Sequence, residues 1–256
     1  MIARLAATVL ALALAALPLA AEEKVVAGLS QNSISITAQF TGSDILIYGA
    51  VKRESPIPDG PPLDVIVTLQ GPSAPVTVRR KSRVGGVWVN TDSVRVDLAP
   101  SYYSVATSAP LGRILTQTED LRHRVSVPLA IRSVGAPSQI VDAPAFSDAL
   151  IRLRMRDGLY SVDENSVDVV QQTLFRADFD LPANLTEGNY TVRILLLRDR
   201  KVLDEQTEVI RVSKVGLERW LYATSRNEPA LYGLLALAIA VFAGWAAAAV
   251  FRFVRT

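Results

Sequence analysis

The chain has 256 residues, and its 27 lysine and arginine residues against 25 aspartate and glutamate residues leave a formal net charge of +2. Because the charges nearly cancel, there is no general electrostatic case for a nucleic-acid partner. The absence of cysteine excludes a disulfide framework, a thiol nucleophile and a thiolate metal site, and the presence of one histidine argues against a histidine metal cluster. We therefore expect no cofactor and no metal.

Residues 1–21 have the pattern of a secretory signal peptide. Arg4 supplies the positive start, residues 5–17 supply an apolar run, and residues 18–21 supply a small-residue end. The run is too short for a comfortable membrane span. We expect export of the following residues out of the cytoplasm; the pattern leaves open whether the segment is cleaved.

Residues 22–109 predict a β-rich lobe. From Val25 the sequence has period two, with Ile34, Ile36, Ala38 and Phe40 on one side, as in a half-buried strand. Further strands are predicted at 44–51, 63–70, 76–81, 87–90 and 94–98, separated by turns rich in Gly, Pro and Ser. Short strands with no helices between them favour an antiparallel, immunoglobulin-like sandwich, with Trp88 in its core.

Residues 110–160 predict a mixed connection, and residues 161–215 predict strands that complete a sandwich. A helix is expected near 144–156, where apolar residues have helical spacing at Phe146, Ala149, Leu150 and Leu153. Tyr190 stands at the start of a strand and is expected to pack under a loop, as in many immunoglobulin-like domains. The sequence leaves open whether the two β regions form one composite sandwich or two lobes.

Residues 230–251 are an uncharged apolar run. A helix of this length is about 33 Å long, which exceeds the hydrocarbon core of about 30 Å. The sequence therefore predicts one transmembrane helix, followed by a short cytoplasmic tail at 252–256.

The residues next to and within this span indicate contacts at the membrane. Residues 216–229 predict an amphipathic segment along the bilayer, with Trp220 and Tyr222 at the headgroup layer. In the span, small residues recur at steps of three and four, which would let another helix approach closely; they are Gly233, Ala236, Ala240, Gly244 and Ala247. Because half of the run is Gly or Ala, plain composition is the alternative explanation.

The densest basic cluster consists of Arg79, Arg80, Lys81 and Arg83. In an alternating strand these charges fall on both faces. They either pair with acids such as Asp92 and Asp97 or guard a sheet edge against aggregation. The alternative is a contact for an anion or for a partner.

Other candidate sites have structural explanations. The acids Asp163, Glu164 and Asp168 lack the spacing and the turn glycine of a calcium loop, so we interpret them as solvated. His123 is interpreted as a surface or packing residue. Because no nucleophile motif occurs and no acid, base and nucleophile share a recognisable spacing, we expect a protein that is not an enzyme.

Two groups of motifs carry a resemblance to a known family. The first group is VTVRRK at 76–81, GVWVN at 86–90 and APSYY at 99–103; the second is KVGLERWLY at 214–222, LYGL at 231–234 and GWAA at 244–247. In them the chain resembles an alphaproteobacterial family of transmembrane proteins of unknown function. The resemblance implies no catalytic residues. Since members are often encoded beside multi-pass permeases of the sulfite-exporter type, it implies an accessory role.

Together these observations predict a mainly β, immunoglobulin-like antiparallel sandwich with a short helical insertion and one C-terminal transmembrane helix. The expected location is the bacterial inner membrane, with the bulk in the periplasm and the C-terminus in the cytoplasm. Expected partners are the lipid bilayer and another integral membrane protein, or a second copy through the span. The expected function is an accessory or scaffold subunit of a membrane complex, with a sulfite or anion exporter-type permease as the implied partner. The alternative is a periplasmic module that binds a solute or an envelope polymer.

Overall fold

The computed structural model describes residues 23–37, 39–54, 56–58, 60–133, 142–214, 222 and 224–254. The strands in this part of the chain are β1 Lys24–Leu29, β2 Ser33–Ile36, β3 Gly42–Lys52, β4 Asp64–Gln70, β5 Ser73–Val84, β6 Val87–Pro100, β7 Tyr103–Thr107, β8 Tyr160–Asp163, β9 Val167–Val170, β10 Leu174–Pro182, β11 Gly188–Arg198 and β12 Lys201–Lys214. The helices named here are α1 Leu111–Ile114, α2 Gln117–His123, α3 Val127–Ala130, α4 Ala143–Arg156 and α5 Pro229–Val254. The predicted signal peptide, 1–21, lies outside the described residues.

The strands form two large sheets and a separate hairpin. One sheet has the order β1-β3-β10-β9, the other has the order β2-β12-β11-β4-β7-β8, and β5 pairs with β6. Neighbouring strands are antiparallel except for two parallel pairs, β2 with β12 and β7 with β8. The prediction of a mainly β fold with one C-terminal apolar helix is confirmed, while the two parallel pairs depart from the expected antiparallel arrangement.

The two large sheets enclose one hydrophobic core. On β10, Phe175, Ala177 and Phe179 are buried, and the residues between them are exposed, as the alternation predicts. They belong to the same buried cluster as apolar residues of the facing sheet, among them Val65, Val67, Val192, Ile194 and Ile210. Strands from both predicted β regions contribute to each sheet and to this core, so the molecule has one composite sandwich.

The outer face of the six-stranded sheet is covered by the helical insertion. Ile114, Val125 and Val127, from α1 to α3, join the main core. The buried hydroxyl of Tyr103 on β7 donates to the carbonyl oxygen of Val125 at 2.7 Å. Because β4 is covered on both sides, its residues from Val65 to Leu69 are all buried and form an almost continuous apolar run.

The β5–β6 hairpin carries the second hydrophobic cluster. The predicted separate strands at 87–90 and 94–98 are one strand, β6, which turns back from β5 at Gly85-Gly86. Both glycines have positive φ, +60° and +88°, as a type I′ turn requires. The base of the hairpin packs against α4, which confirms the helix predicted near 144–156; this cluster consists of Val78, Val94, Val96, Ala99, Phe146 and Leu150. Leu153, expected on the packed face, is exposed.

The β5–β6 hairpin starts at the same end of the six-stranded sheet as the C-terminus of β12, from which the chain continues to the span. Gln70, the last residue of β4, pairs with Thr191 of β11, which pairs with Val209 near the end of β12. The β11–β12 turn at 199–200 lies at the opposite end of the same sheet. The start of β5 and the exit of β12 therefore share one end of the domain.

Tyr190 makes the contact expected at the start of β11. Its buried hydroxyl donates to the carbonyl oxygen of Thr186 at 3.0 Å, and burial raises its pKa. A similar hydrogen bond, from a tyrosine hydroxyl to the backbone a few residues upstream, occurs in immunoglobulin-like domains. The immunoglobulin-like assignment of the whole sandwich stays a prediction.

The C-terminal helix α5 contains the predicted span. Its apolar window, Pro229–Ala247, has a mean hydropathy of 2.0, and none of it is buried against the described chain. The helix starts one residue before the predicted 230–251 and continues to Val254, into the predicted tail. Trp220 and half of the predicted segment 216–229 lie outside the described residues, whereas Tyr222 is described and exposed.

Candidate functional site

The hairpin has two chemically different faces. Directly opposite residues of an antiparallel pair share a face. One face carries the pairs Val78↔Val94 and Arg80↔Asp92, and it packs on α4 near the base. The other face carries Thr77↔Arg95, Arg79↔Ser93, Lys81↔Asn90 and Arg83↔Trp88. The sequence cluster of four basic residues is thus divided between a packed face and an open face.

Arg80 lies on the packed face and is neutralised there. Its guanidinium donates to Asp92 at 2.8 Å and also pairs with Asp142, and it lies 5.1 Å from the ring centre of Phe146. The hydrogen bonds that it donates to Asp92 and then to Asp142 raise its pKa. The predicted pairing with Asp92 is therefore present, and Arg80 belongs to the junction between the hairpin and α4.

The open face is cationic. Arg79, Lys81 and Arg95 are exposed, and they have no side-chain hydrogen bond or ion pair with any residue that the structure describes. Arg83 donates to the carbonyl oxygen of Gly86 at 3.3 Å, which leaves its charge uncompensated. Asp97 lies farther along β6 and has a partner of its own. We call Arg79, Lys81 and Arg83 the basic face.

The end of the hairpin is apolar and exposed. Trp88 is 65% exposed and Val87 is 64% exposed, and Val84 and Val89 are also open to solvent. The prediction that Trp88 lies in the sandwich core is wrong, because the hairpin carries this residue beyond α4 and no sheet of the described residues covers it. We call residues 81–91 the hairpin tip.

A shallow cleft lies between β5 and α4. It has a volume of about 400 Å³ and is lined by Arg79, Arg80, Phe146, Asp148 and Arg152, among others. Its open form and mixed charges give it no enclosed chamber for a small substrate.

A second polar cluster lies where α2 meets β11 and β12. His123 Nδ1 lies 2.8 Å from a carboxylate oxygen of Glu205, and Arg193 donates to the other oxygen at 2.7 Å. Glu119 lies 3.6 Å from His123 Nε2. Although burial alone would raise the pKa of Glu205, hydrogen bonds from Arg193 and His123 lower it. His123 was interpreted as a surface or packing residue, and the structure places the carboxylates of Glu205 and Glu119 beside it.

This cluster borders a small cavity with excess positive charge. The cavity has a volume of about 240 Å³, and its ionisable lining is Arg122, His123, Arg124, Arg132, Arg193 and Glu205. Sequence reasoning missed it because its residues come from α2, the end of α3, β11 and β12. The local run RHR at 122–124 was the available signal.

The remaining sequence candidates do not gather into a site. Glu164 accepts the backbone N–H of Leu111 at 2.9 Å, and Asp163 accepts the hydroxyl of Ser161 at 2.8 Å. Among the described residues, no group of three or more His, Cys, Asp or Glu side chains could hold a metal ion. The small residues of α5 lie within an arc of about 80° around the helix, as their spacing requires; they are Gly233, Ala236, Ala240, Gly244 and Ala247.

An exposed apolar row crosses the four-stranded sheet and was not predicted. Val26 pairs with Ala50, Ala50 with Leu174, and Leu174 with Val170, so the four side chains share the outer face. Leu174 and Val170 are each 55% exposed. We call these four residues the apolar row.

Comparisons with known proteins give one family. Residues 24–253 match the family model described as Putative transmembrane protein (Alph_Pro_TM). A comparison with curated proteins found no match. Among solved structures, the chain is similar to the crystal structure of Spo0M, a sporulation control protein from Bacillus subtilis, with 11% identity and a TM-score of 0.27. The alignment covers 80% of this chain and 55% of that one, so the chain spans about half of the length of that protein.

Proposed function

Because the chain belongs to the family described as Putative transmembrane protein, whose model matches residues 24–253, we propose that it is an accessory or scaffold subunit of a membrane complex. One C-terminal span holds the β-sandwich at the bilayer, and the domain acts by binding and not by catalysis. The partner is another integral membrane protein, and the family resemblance implies a multi-pass permease of the sulfite or anion exporter type.

The apolar row is the observation that carries this proposal. Exposed aliphatic side chains scattered singly are normal on a protein surface, whereas a continuous row across a sheet is typical of an interaction site. Nothing in the described chain covers the row, although each of its strands also contributes to the core. A neighbouring subunit that covers it would remove this apolar surface from water.

The test is affinity purification of the tagged full-length chain from membranes in mild detergent. We expect a stoichiometric multi-pass protein to copurify, and the double variant Val170→Arg/Leu174→Arg to lose it. Leu203→Arg/Val209→Arg is the matched control, because both residues are exposed on β12 in the other sheet. Unchanged recovery of the partner with the first variant, or a chain that purifies alone, would contradict the proposal.

The small-residue side of α5 gives further support. Apart from its chain neighbours and the adjacent helix backbone, a Cβ atom added at Gly233 or Gly244 would meet no atom of the described chain within 4 Å, so packing inside the described chain does not explain these glycines. Glycine is less favourable than alanine in a helix by about 1 kcal/mol. In membranes, small residues on one side of a helix let another helix approach closely.

We expect the double variant Ala240→Leu/Gly244→Leu to weaken crosslinking to a partner or to a second copy in membranes. The control is Ala238→Leu/Ala246→Leu, which adds similar bulk on the other side of the helix. If crosslinking of the first variant is unchanged, this side of the span does not contribute to the interface.

A second candidate function is a module that binds a solute or an envelope polymer without a partner subunit. The cavity beside His123 favours it, since four arginines against one glutamate suit a small anion. Isothermal titration of the purified chain with sulfate, sulfite and phosphate tests this function. A saturable signal that Arg124→Ser/Arg132→Ser abolishes, in a chain that purifies alone, supports the module over the subunit.

We also propose the orientation in which the sandwich is periplasmic and the C-terminus is cytoplasmic. The signal-like residues 1–21 and the one candidate span among the described residues support it. A reporter fused after Ser213 that is active only in the periplasm is expected. The same reporter active only in the cytosol would overturn this orientation.

A further inference from the structure

The hairpin tip combines exposed apolar side chains with uncompensated positive charge. Val84, Val87 and Trp88 are each more than half exposed, while Lys81 in the tip and Arg79 just before it face the same solvent without an acidic partner in the described chain. If the tip were surrounded by water alone, the large aromatic side chain of Trp88 would stay exposed to water, which is unfavourable. A surface that is both anionic and partly apolar would accommodate both parts of the tip.

The fold presents this tip as a rigid element. Two glycines close the turn, the strands pair along the hairpin apart from register shifts between Ala74 and Val76 and between Arg80 and Lys81, and α4 holds its base through Phe146 and Leu150. The ribbon has twelve residues in β5, which corresponds to about 40 Å at about 3.3 Å per residue. The tip residues are thus displayed at the end of a stiff arm and not on a loose loop.

The topology places the arm at the membrane end of the domain. β5 starts at the same end of the six-stranded sheet from which β12 leads to α5. The connection 215–228 has fourteen residues, so even a fully extended connection would separate this end from the span by no more than about 50 Å. The length of the arm is comparable with that gap.

We propose that the hairpin tip docks on an anionic phospholipid surface. Trp88 and the neighbouring valines enter the headgroup layer, where tryptophan is enriched in membrane proteins. Arg79, Lys81 and Arg83 lie over lipid phosphates, and each basic residue near such a surface contributes about a factor of five in binding. The tip is a second membrane contact besides α5, and it fixes the tilt of the sandwich over the bilayer. This inference concerns lipid only and does not depend on a partner subunit.

The test uses the full-length chain in lipid nanodiscs and exploits its lack of cysteine. A fluorophore on Val87→Cys reports on the tip, and nitroxide lipids labelled at the headgroup quench it on contact. The matched control is the label on Lys201→Cys, in the turn at the opposite end of the six-stranded sheet. Discs of phosphatidylcholine alone are compared with discs that also contain phosphatidylglycerol.

We expect quenching at position 87 in discs with phosphatidylglycerol, reversed by salt, and none at position 201. In the labelled chain, Lys81→Ser/Arg83→Ser should lower the ratio of docked to undocked tips roughly thirtyfold. Lys52→Ser/Lys201→Ser, which removes two charges elsewhere, should leave the ratio unchanged. Thermal unfolding of each variant shows that the sandwich is intact.

Three results would overturn the proposal. The first is an unquenched tip in discs with phosphatidylglycerol, which is also what a tip reserved for a protein partner would give. The second is equal quenching in phosphatidylcholine alone. The third is contact between labels that requires two chains in a disc, because this would show that a second copy occupies the tip.

Discussion

Three charged side chains tie the first strand to the rest of the sandwich. Glu23, beside β1, accepts from Arg198 at 3.0 and 3.1 Å and also from Arg53. Both guanidinium groups also donate hydrogen bonds to Gln172, which precedes β10. The three charged side chains are 3%, 7% and 12% exposed for Glu23, Arg53 and Arg198, so each charge depends on its partners in place of water.

We expect Glu23→Gln to lower the free energy of unfolding by about 3 kcal/mol. Removing one member of a buried ion group leaves the remaining charges uncompensated, which is strongly destabilising. Denaturant unfolding of the full-length chain in detergent measures the change. The matched control is Glu54→Gln, an exposed glutamate near Arg53, and equal stability of the two variants would contradict the prediction.

Acid should destabilise the protein through Glu23 and Glu205. Burial acts to raise the pKa of each, but hydrogen bonds from arginines, and from His123 for Glu205, bring it below the usual value of 4.5. A carboxylate whose pKa is lowered by folding stabilises the folded state above its unfolded pKa. That contribution is lost as the pH falls from about 4.5 through the lowered value.

Unfolding midpoints measured from pH 7 to pH 3 should fall for the natural chain and fall less for Glu23→Gln/Glu205→Gln. Parallel curves for the two proteins would show that these carboxylates are not the acid-sensitive groups.

At the scale of whole strands, the alternation of apolar and polar residues predicted burial correctly only where another sheet or a helix covers the apolar face of the strand. On β10 the apolar positions face the opposite sheet, and the pattern identifies the core side chains correctly. The hairpin shows similar alternation, but its tip passes beyond α4, and Trp88 is therefore exposed. A local pattern shows which residues share a face, whereas the contact that covers that face is decided by residues distant in sequence.

Strand β3 contains a glycine that close packing requires. A Cβ atom on Gly49 would lie 2.5 Å from the ring of Phe175 and 2.7 Å from the carbonyl oxygen of Val26. The ring belongs to the core and the carbonyl to the paired strand β1, so neither can move without cost to packing or pairing.

We expect Gly49→Ala to destabilise the domain by about 1–3 kcal/mol, as overpacked cores do. Gly112→Ala in α1 is the control, because nothing lies within 4 Å of a Cβ atom there. Thermal unfolding compares the two variants. A melting temperature for Gly49→Ala that equals that of the control would show that the strands separate without cost.

For the whole molecule, the sequence predicted the class of fold and the span better than the assembly. The apolar run at 230–251 and the alternating patterns of the strands are properties of residues that are close in sequence. The structure contains both the apolar helix and a mainly β fold, as predicted. The sheet order, the apolar row and the cavity beside His123 depend on pairs such as Val26 with Ala50 and Ala50 with Leu174, which no local pattern contains. The signal peptide and the contacts of Trp220 remain predictions.

We expect the full-length chain to stay in the membrane pellet after alkaline carbonate extraction, because its apolar window is long enough to cross the bilayer. A chain ending before Pro229 should be released into the supernatant. Release of the full-length chain by carbonate would show that α5 is not a span.

The parallel pair of β2 with β12 has a consequence for biosynthesis. Ser33 of β2 pairs with Arg211 of β12, and β10 and β11 are interior strands of their sheets. The strands that are synthesised first, such as β2, β3 and β4, therefore cannot complete their pairing until β10, β11 and β12 have been synthesised. A nascent chain cannot close its sandwich until nearly all of the domain has been made, and such distant pairings are slow to form. During that interval the unpaired edges of β3 and β4 are exposed, and a holding chaperone could bind them.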